Sequence, residues 1–77
     1  MDIVTSLKNQ ILKLADEYKP VDNPVTNALN AASILGQYCG LMNVLSHICT
    51  QTWIDVHDAT TGKINKLLVI QNSIYRR

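Results

Sequence analysis

The stretch that decides the fold lies at residues 23–54 and reads NPVTNALNAASILGQYCGLMNVLSHICTQTWI. It contains no Lys, Arg, Asp or Glu, although charged residues make up 17% of the chain. Pro24 suits the first position of a helix, with Asn23 as its N-cap. Apolar residues then recur at steps of three and four, which is the period of a helix. This pattern predicts one long central helix over residues 24–52, about 43 Å long at 1.5 Å per residue.

A row of small residues follows this predicted helix at a spacing of four: Ala28, Ala32, Gly36 and Gly40. Each glycine inside a helix costs roughly 1 kcal/mol relative to alanine. Such a row lets the backbone of a second helix approach closely, so we predict a helix–helix interface at these four residues. The alternative is that Gly36 and Gly40 mark a kink or a break in the helix.

Residues 2–18 predict a first helix, because five apolar or aromatic side chains share one helical face: Val4, Leu7, Ile11, Leu14 and Tyr18. Asp2 is placed to cap its N-terminus. The residues between Pro20 and Pro24 should end this helix and reverse the chain, since proline disfavours the helical conformation at the preceding residue.

The C-terminal third is open to two interpretations. Ile64, Leu67, Leu68 and Ile74 follow the helical period and predict a third helix over residues 62–76. The alternative is a β-hairpin within residues 53–71, because two β-rich runs flank a turn-like segment that contains Gly62. The predicted fold is therefore all-α, a single helical domain over residues 1–77, with an α+β fold as the alternative.

The predicted helix lengths also indicate self-association. A first helix over 2–18 and a third over 62–76 are short enough to cover opposite halves of the central helix, so each cross-section would hold two helices. Two helices leave part of a wide apolar arc exposed, and we expect a homo-oligomer, a dimer or larger, to bury it. Cys39 and Cys49 would lie too far apart on one helix to form a disulfide within the chain.

The sequence carries no recognisable catalytic or metal-binding pattern. His47, Cys49, Asp55, His57 and Asp58 lie close together, but no CxxC or HExxH spacing accompanies them. We expect no catalytic residue, no metal and no cofactor, and hence not an enzyme. The uncharged run at 28–49 is too polar for a typical membrane span, so no membrane partner is expected. With no apolar signal sequence at its start, the chain is predicted to be cytoplasmic.

The function that these features predict is a non-enzymatic interaction protein. It would act as a small regulator or inhibitor that binds another macromolecule through helix faces of a homo-oligomer, and we expect that partner to be a protein. The alternative is a nucleic-acid-binding regulator that uses four basic residues: Lys63, Lys66, Arg76 and Arg77. The net charge of +1 gives that alternative no broad basic field. Whether a small anionic ligand binds between subunits stays open.

One segment resembles a known family. Lys19-Pro20 and Asp22-Asn23-Pro24, followed by Gln37-Tyr38, Asn43, Ser46 and Ile48, are similar to the helix-turn-helix pattern of type III secretion needle subunits. The resemblance covers 30 of the 77 residues and needs a one-residue insertion before Gln37. It implies a small helical hairpin that polymerises into a hollow filament. The chain lacks the family's Lys-Asp pair after the serine and continues beyond the end of those subunits.

Overall fold

The computed structural model describes residues 2–73 of the chain. These residues form three α-helices: α1 at Ile3–Ala15, α2 at Pro24–Ile48 and α3 at Thr50–Asn72. The all-α prediction is confirmed. The β-hairpin alternative is wrong, because residues 53–71 are helical throughout. None of the helices within 2–73 combines the length and the apolar character that crossing a bilayer requires.

Helix α1 begins where the sequence predicts and ends three residues early. The Asp2 carboxylate accepts a hydrogen bond of 3.2 Å from the amide of Val4, as an N-cap does. At the other end, the amides of Asp16 and Glu17 bond to carbonyls three residues back, at 3.1 Å each. This tighter turn ends α1 at Ala15 rather than at residue 18.

Helix α2 is continuous through both of its glycines. Asn23 caps it, since its side-chain oxygen accepts from the amides of Val25 and Thr26 at 3.0 and 3.1 Å, and Pro24 is the first helical residue. Gly36 and Gly40 both have helical backbone hydrogen bonding, so the predicted alternative of a break is not observed. The helix ends at Ile48, four residues before the predicted end at 52.

A single non-helical residue joins α2 to α3. Cys49 is extended, with φ −154° and ψ 99°, and helix resumes at Thr50. The third helix therefore starts twelve residues before the predicted start at 62, and the predicted end at 76 lies outside the described residues. Neither glycine nor proline marks this joint. Gly62, taken as a turn signal, lies inside α3.

The three helices enclose a main core near the joint. Helices α2 and α3 are antiparallel, because Tyr38 bonds to Thr60 across Cys49 and Leu35 packs near Leu67. The fully or nearly buried members of the main core come from all three helices: Ile11, Leu14, Tyr38, Met42, Leu45 and Val56. The prediction of two helices per cross-section is wrong here, since a 23-residue α3 reaches far enough to pack beside α1 as well as α2.

Beyond the end of α1, only α2, α3 and the loop after α1 contribute to the core. A second cluster contains Ala31, Leu35 and Leu67, and Tyr18 packs against it from the loop that follows α1. The Tyr18 hydroxyl is hydrogen-bonded to the Asn27 side chain, which also accepts from the amide of Val21 at 3.2 Å. The Asn27 side chain therefore links the loop to the first turn of α2 by two hydrogen bonds.

Candidate functional site

The face of α2 that points away from the other helices is the most distinctive surface of the described chain. We define the outer face of α2 by seven residues: Val25, Leu29, Ala32, Gly36, Gly40, Val44 and Ile48. With 100° per residue, Leu29, Gly36, Gly40 and Val44 point away from the core, and Val25, Ala32 and Ile48 lie at the edges of this face. The residues that α2 buries are Ala28, Ala31, Leu35, Tyr38, Met42 and Leu45. One side of α2 therefore builds the core, and the other meets solvent.

Four large apolar side chains are exposed on this outer face. Val25 is 48% exposed, Leu29 60%, Val44 46% and Ile48 44%. Burying a side chain of this kind fully contributes about 1.5–3 kcal/mol relative to leaving it in water. The monomer therefore leaves about half of that burial free energy unrealised at each of these four positions.

Two glycines form a depression in the middle of this face. A Cβ atom built on Gly36 or on Gly40 meets nothing within 4 Å, and neither residue has a positive φ. The fold of the single chain therefore does not require glycine at either position. Their helical cost of about 0.8–1.0 kcal/mol each is not offset by any contact within residues 2–73.

The four residues of the predicted interface do not share one environment. Ala28 is buried in its own chain, Ala32 is half-buried, and Gly36 and Gly40 are exposed. The row is therefore divided, with one end inside the domain. Only the part from Ala32 to Gly40 is accessible to another helix.

The outer face also lacks formal charge. Helix α2 contains no Lys, Arg, Asp or Glu, so its exposed polar groups are amides, hydroxyls and His47. Some of these are bonded within the helix: Gln37 donates to the Ser33 hydroxyl at 3.4 Å, and Ser46 donates to the Asn43 carbonyl at 2.7 Å. Covering this face requires no ionised group to leave water, which would cost far more than desolvating neutral groups.

The predicted basic residues are only partly described. Lys63 forms an ion pair with Asp16, and both side chains are more than half exposed. Lys66 is exposed one turn further along α3, while Arg76 and Arg77 lie outside the described residues. The pairing of Lys63 with a carboxylate offsets part of the positive charge that a phosphate contact would use.

Lys63 and Lys66 border an open groove between α3 and the end of α1. Its volume is about 920 Å³, and its walls are mainly apolar, with Tyr18, Leu67 and Ile70 among the lining residues. The groove exists because α1 ends at Ala15 and leaves the second half of α3 uncovered.

Around the joint, the polar residues singled out from the sequence do not assemble into one site. The sulfur of Cys49 lies 3.2 Å from the Thr52 hydroxyl, and this hydrogen bond lowers the pKa of the Cys49 thiol. His57 stacks on Trp53 with ring centroids 5.0 Å apart, and its Nδ1 is 3.7 Å from the Asp58 carboxylate. In the part of the chain that the structure describes, no three His, Cys, Asp or Glu side chains converge as metal ligands.

Sequence reasoning missed the exposed apolar residues at the ends of the outer face. Val25, Leu29 and Val44 were assigned no role from the sequence, and Ile48 was noted only as part of the apolar surface of the central helix and in the family resemblance. The available signal was their position opposite the buried residues of α2, which requires knowing which arc the other helices cover.

Comparison with protein-family models, with curated proteins and with solved structures finds no match to this chain. The resemblance to needle subunits thus stands on the quoted residues alone. Those subunits are helical hairpins, whereas this chain adds a third helix of 23 residues that packs on both others.

Proposed function

We propose that this protein is a non-enzymatic interaction module that acts as a small regulator or inhibitor. It binds another macromolecule through helix faces, and it does so as a homo-oligomer. The observation that carries the proposal is the outer face of α2, where four large apolar side chains and two unobstructed glycines are exposed on one uncharged helix surface.

The chemistry of this face suits recognition of a helix. Apolar side chains at its two ends supply burial, and the central glycines allow a partner backbone to come close. Because no ion has to be desolvated, association through this face should depend little on salt. A contact with nucleic-acid phosphates would instead weaken steeply between low and moderate salt.

The first test is the mass of the purified chain by light scattering across a hundredfold range of concentration and at two salt levels. We expect the mass to rise with concentration and to be nearly independent of salt. Gly36→Leu should shift association to higher concentration, since leucine fills the depression.

The matched control is Gly62→Leu, because Gly62 is also an exposed glycine inside a helix with open space around its Cβ position, but it lies on α3. This variant should associate like the original chain. A monomer at every concentration, or equal weakening by both substitutions, would contradict the proposal.

A further inference from the structure

A single residue separates α2 from α3, and the backbone on both sides of it is already bonded as in one helix. The amide of Cys49 donates to the Leu45 carbonyl at 2.9 Å, and the amide of Trp53 donates to the Cys49 carbonyl at 3.0 Å. Both bonds span four residues, as they do in an uninterrupted α-helix. The extended backbone of Cys49, with φ −154° and ψ 99°, therefore removes only the three bonds that the amides of residues 50–52 would make. Rotation at this one residue would join α2 and α3 into one helix over residues 24–72.

The buried residues of α2 and α3 keep one helical phase across the joint. At 100° per residue, the nine buried residues of the two helices fall within an arc of about 100° when Cys49 is also counted as helical. A hairpin does not require this agreement, because each of its helices has to present only its own face. The nine residues are Ala28, Ala31, Leu35, Tyr38, Met42, Leu45, Val56, Thr60 and Leu67.

The contacts between α2 and α3 are centred on the same residue. Tyr38, which is hydrogen-bonded to Thr60 at 2.7 Å, lies eleven residues before Cys49, and Thr60 lies eleven residues after it. In a two-fold pair of antiparallel helices whose axis passes through residue 49, each residue before the axis meets the residue equally far after it in the other copy. Such a pair repeats between two chains the contacts that the monomer makes within one. Further members of the core clusters have the same relation: Met42 with Val56, and Ala31 with Leu67.

From these observations we infer that two copies of this chain form a dimer by exchanging α3. In this dimer Cys49 is helical, residues 24–72 of each copy form one helix about 73 Å long, and α3 of each copy packs against α1 and α2 of the other. The partner is a second copy of the chain, and the surface it fits is the one that α3 covers in the monomer. The exchange goes beyond the proposed function, because the outer face of α2 takes no part in it.

The exchanged dimer keeps the contacts of the monomer and adds backbone hydrogen bonds. The Tyr38–Thr60 hydrogen bond and the ion pair between Lys63 and Asp16 form between copies instead of within one. Three amides in each copy gain the carbonyl partners that the joint denies them. Residues 46–53 contain no glycine or proline that would oppose a helix. The loss of free motion of two chains on association opposes the dimer, so a high concentration favours it.

Thr50→Pro tests the exchange while sparing the closed monomer. Thr50 is exposed and is the first residue of α3, a position where proline is favoured, and proline favours an extended residue before it, as Cys49 is. In the exchanged dimer the same proline lies inside a helix, removes a backbone bond and clashes with the carbonyl of Ser46. With two such sites in each dimer, the dissociation constant should rise by at least about a thousandfold. Thr50→Ala is the matched control and should form the dimer like the original chain.

The measurement is gel filtration with light scattering, after each chain has been unfolded in urea, refolded at high concentration and diluted. The original chain and Thr50→Ala should give a dimer fraction that persists after dilution, because α3 has to leave the core before the copies separate. Thr50→Pro should give monomer, with the helix content of the original monomer by circular dichroism.

A disulfide tests the position of the two-fold axis. In the exchanged dimer the two Cys49 side chains lie on the buried arc at the axis and face each other. The dimer of the Cys39→Ser chain, isolated and mildly oxidised, should therefore become covalently linked through Cys49, while the diluted monomer stays unlinked. An isolated dimer that oxidation does not link would overturn the exchange, and this readout does not depend on the proline variant.

The outcomes separate the exchange from the proposed function. No persistent dimer of the original chain, or an equal dimer fraction with Thr50→Pro, would also overturn the exchange. Gly36→Leu should leave the persistent dimer unchanged, because Gly36 lies on the outer face of α2. Thr50→Pro should likewise leave unchanged any association through that face, which reverses on dilution. Either contact can therefore fail while the other remains.

Discussion

Replacing Gly36 by alanine is expected to stabilise the folded monomer. The added methyl group meets no atom within 4 Å, and the backbone at Gly36 is already helical, so no strain opposes the change. Alanine in a helix interior is favoured over glycine by about 0.8–1.0 kcal/mol. For a domain of this size, 1 kcal/mol raises Tm by about 4–8 °C.

The measurement is urea denaturation followed by circular dichroism, at a concentration where light scattering shows monomer. Gly40→Ala should give a similar gain, and both substitutions together should approach the sum. Gly62→Ala is the matched control, because Gly62 is also helical and exposed, and a Cβ there meets nothing within 4 Å, but it lies on α3 rather than α2. All three single variants should stabilise the monomer within about 0.5 kcal/mol of one another.

The three variants together show whether the glycines of α2 are accessible in the monomer. If Gly62→Ala stabilises while Gly36→Ala and Gly40→Ala destabilise the monomer, then α2 is kinked or covered at its glycines within one chain, and the outer face is not available. If none of them stabilises, the helical cost assigned to the glycines is wrong.

Three further predictions concern the core and the joint. Thr60→Val should cost about 1–3 kcal/mol of stability, because it leaves the buried Tyr38 hydroxyl unpaired. Tyr38→Phe should cost less, about 1 kcal/mol, because Thr60 then keeps its 2.8 Å bond to the Val56 carbonyl. Equal costs of the two single variants in a denaturation double-mutant cycle would contradict this. Thr52→Val should raise the pH midpoint for alkylation of Cys49, since the Thr52 hydroxyl lowers the pKa of that thiol. By linkage, stability rises with pH between the folded and unfolded pKa values of Cys49, and this gain is lost as pH falls through the folded one. Ile11→Ala, at a position with 0% exposure, should cost about 2–5 kcal/mol, and near-wild-type stability in urea would place Ile11 outside the core.

Local sequence rules were sufficient where one residue acts on its neighbours. Asp2 and Asn23 cap α1 and α2 as predicted, because a short side-chain oxygen reaches the free amides of the next turn whatever the rest of the chain does. The apolar period also placed Ile11 and Leu14 on one helical face, and both are buried in the fold. These signals predicted α1 and α2, whereas the C-terminal third stayed open between a helix and a β-hairpin.

The start of α3 was decided by tertiary packing. Residues 50–61 are rich in β-formers, and the joint at Cys49 carries no turn residue. Helix prevails there because it buries Val56 and Thr60 against α2, and it also lets the Thr60 hydroxyl bond to Tyr38 and to the Val56 carbonyl. Such a contact joins residues 22 positions apart, so a local window of sequence does not contain it.

For the outer face of α2 as well, the sequence determined some features and the tertiary structure determined others. The sequence by itself determined that residues 23–54 are uncharged and that small residues recur at a spacing of four. Only the tertiary structure decided that Ala28 lies inside the domain while Gly36, Gly40 and four large apolar side chains face solvent. The physical reason is that a helix with a wide apolar arc has several faces it can bury, and the lengths and directions of the neighbouring helices select which one remains exposed.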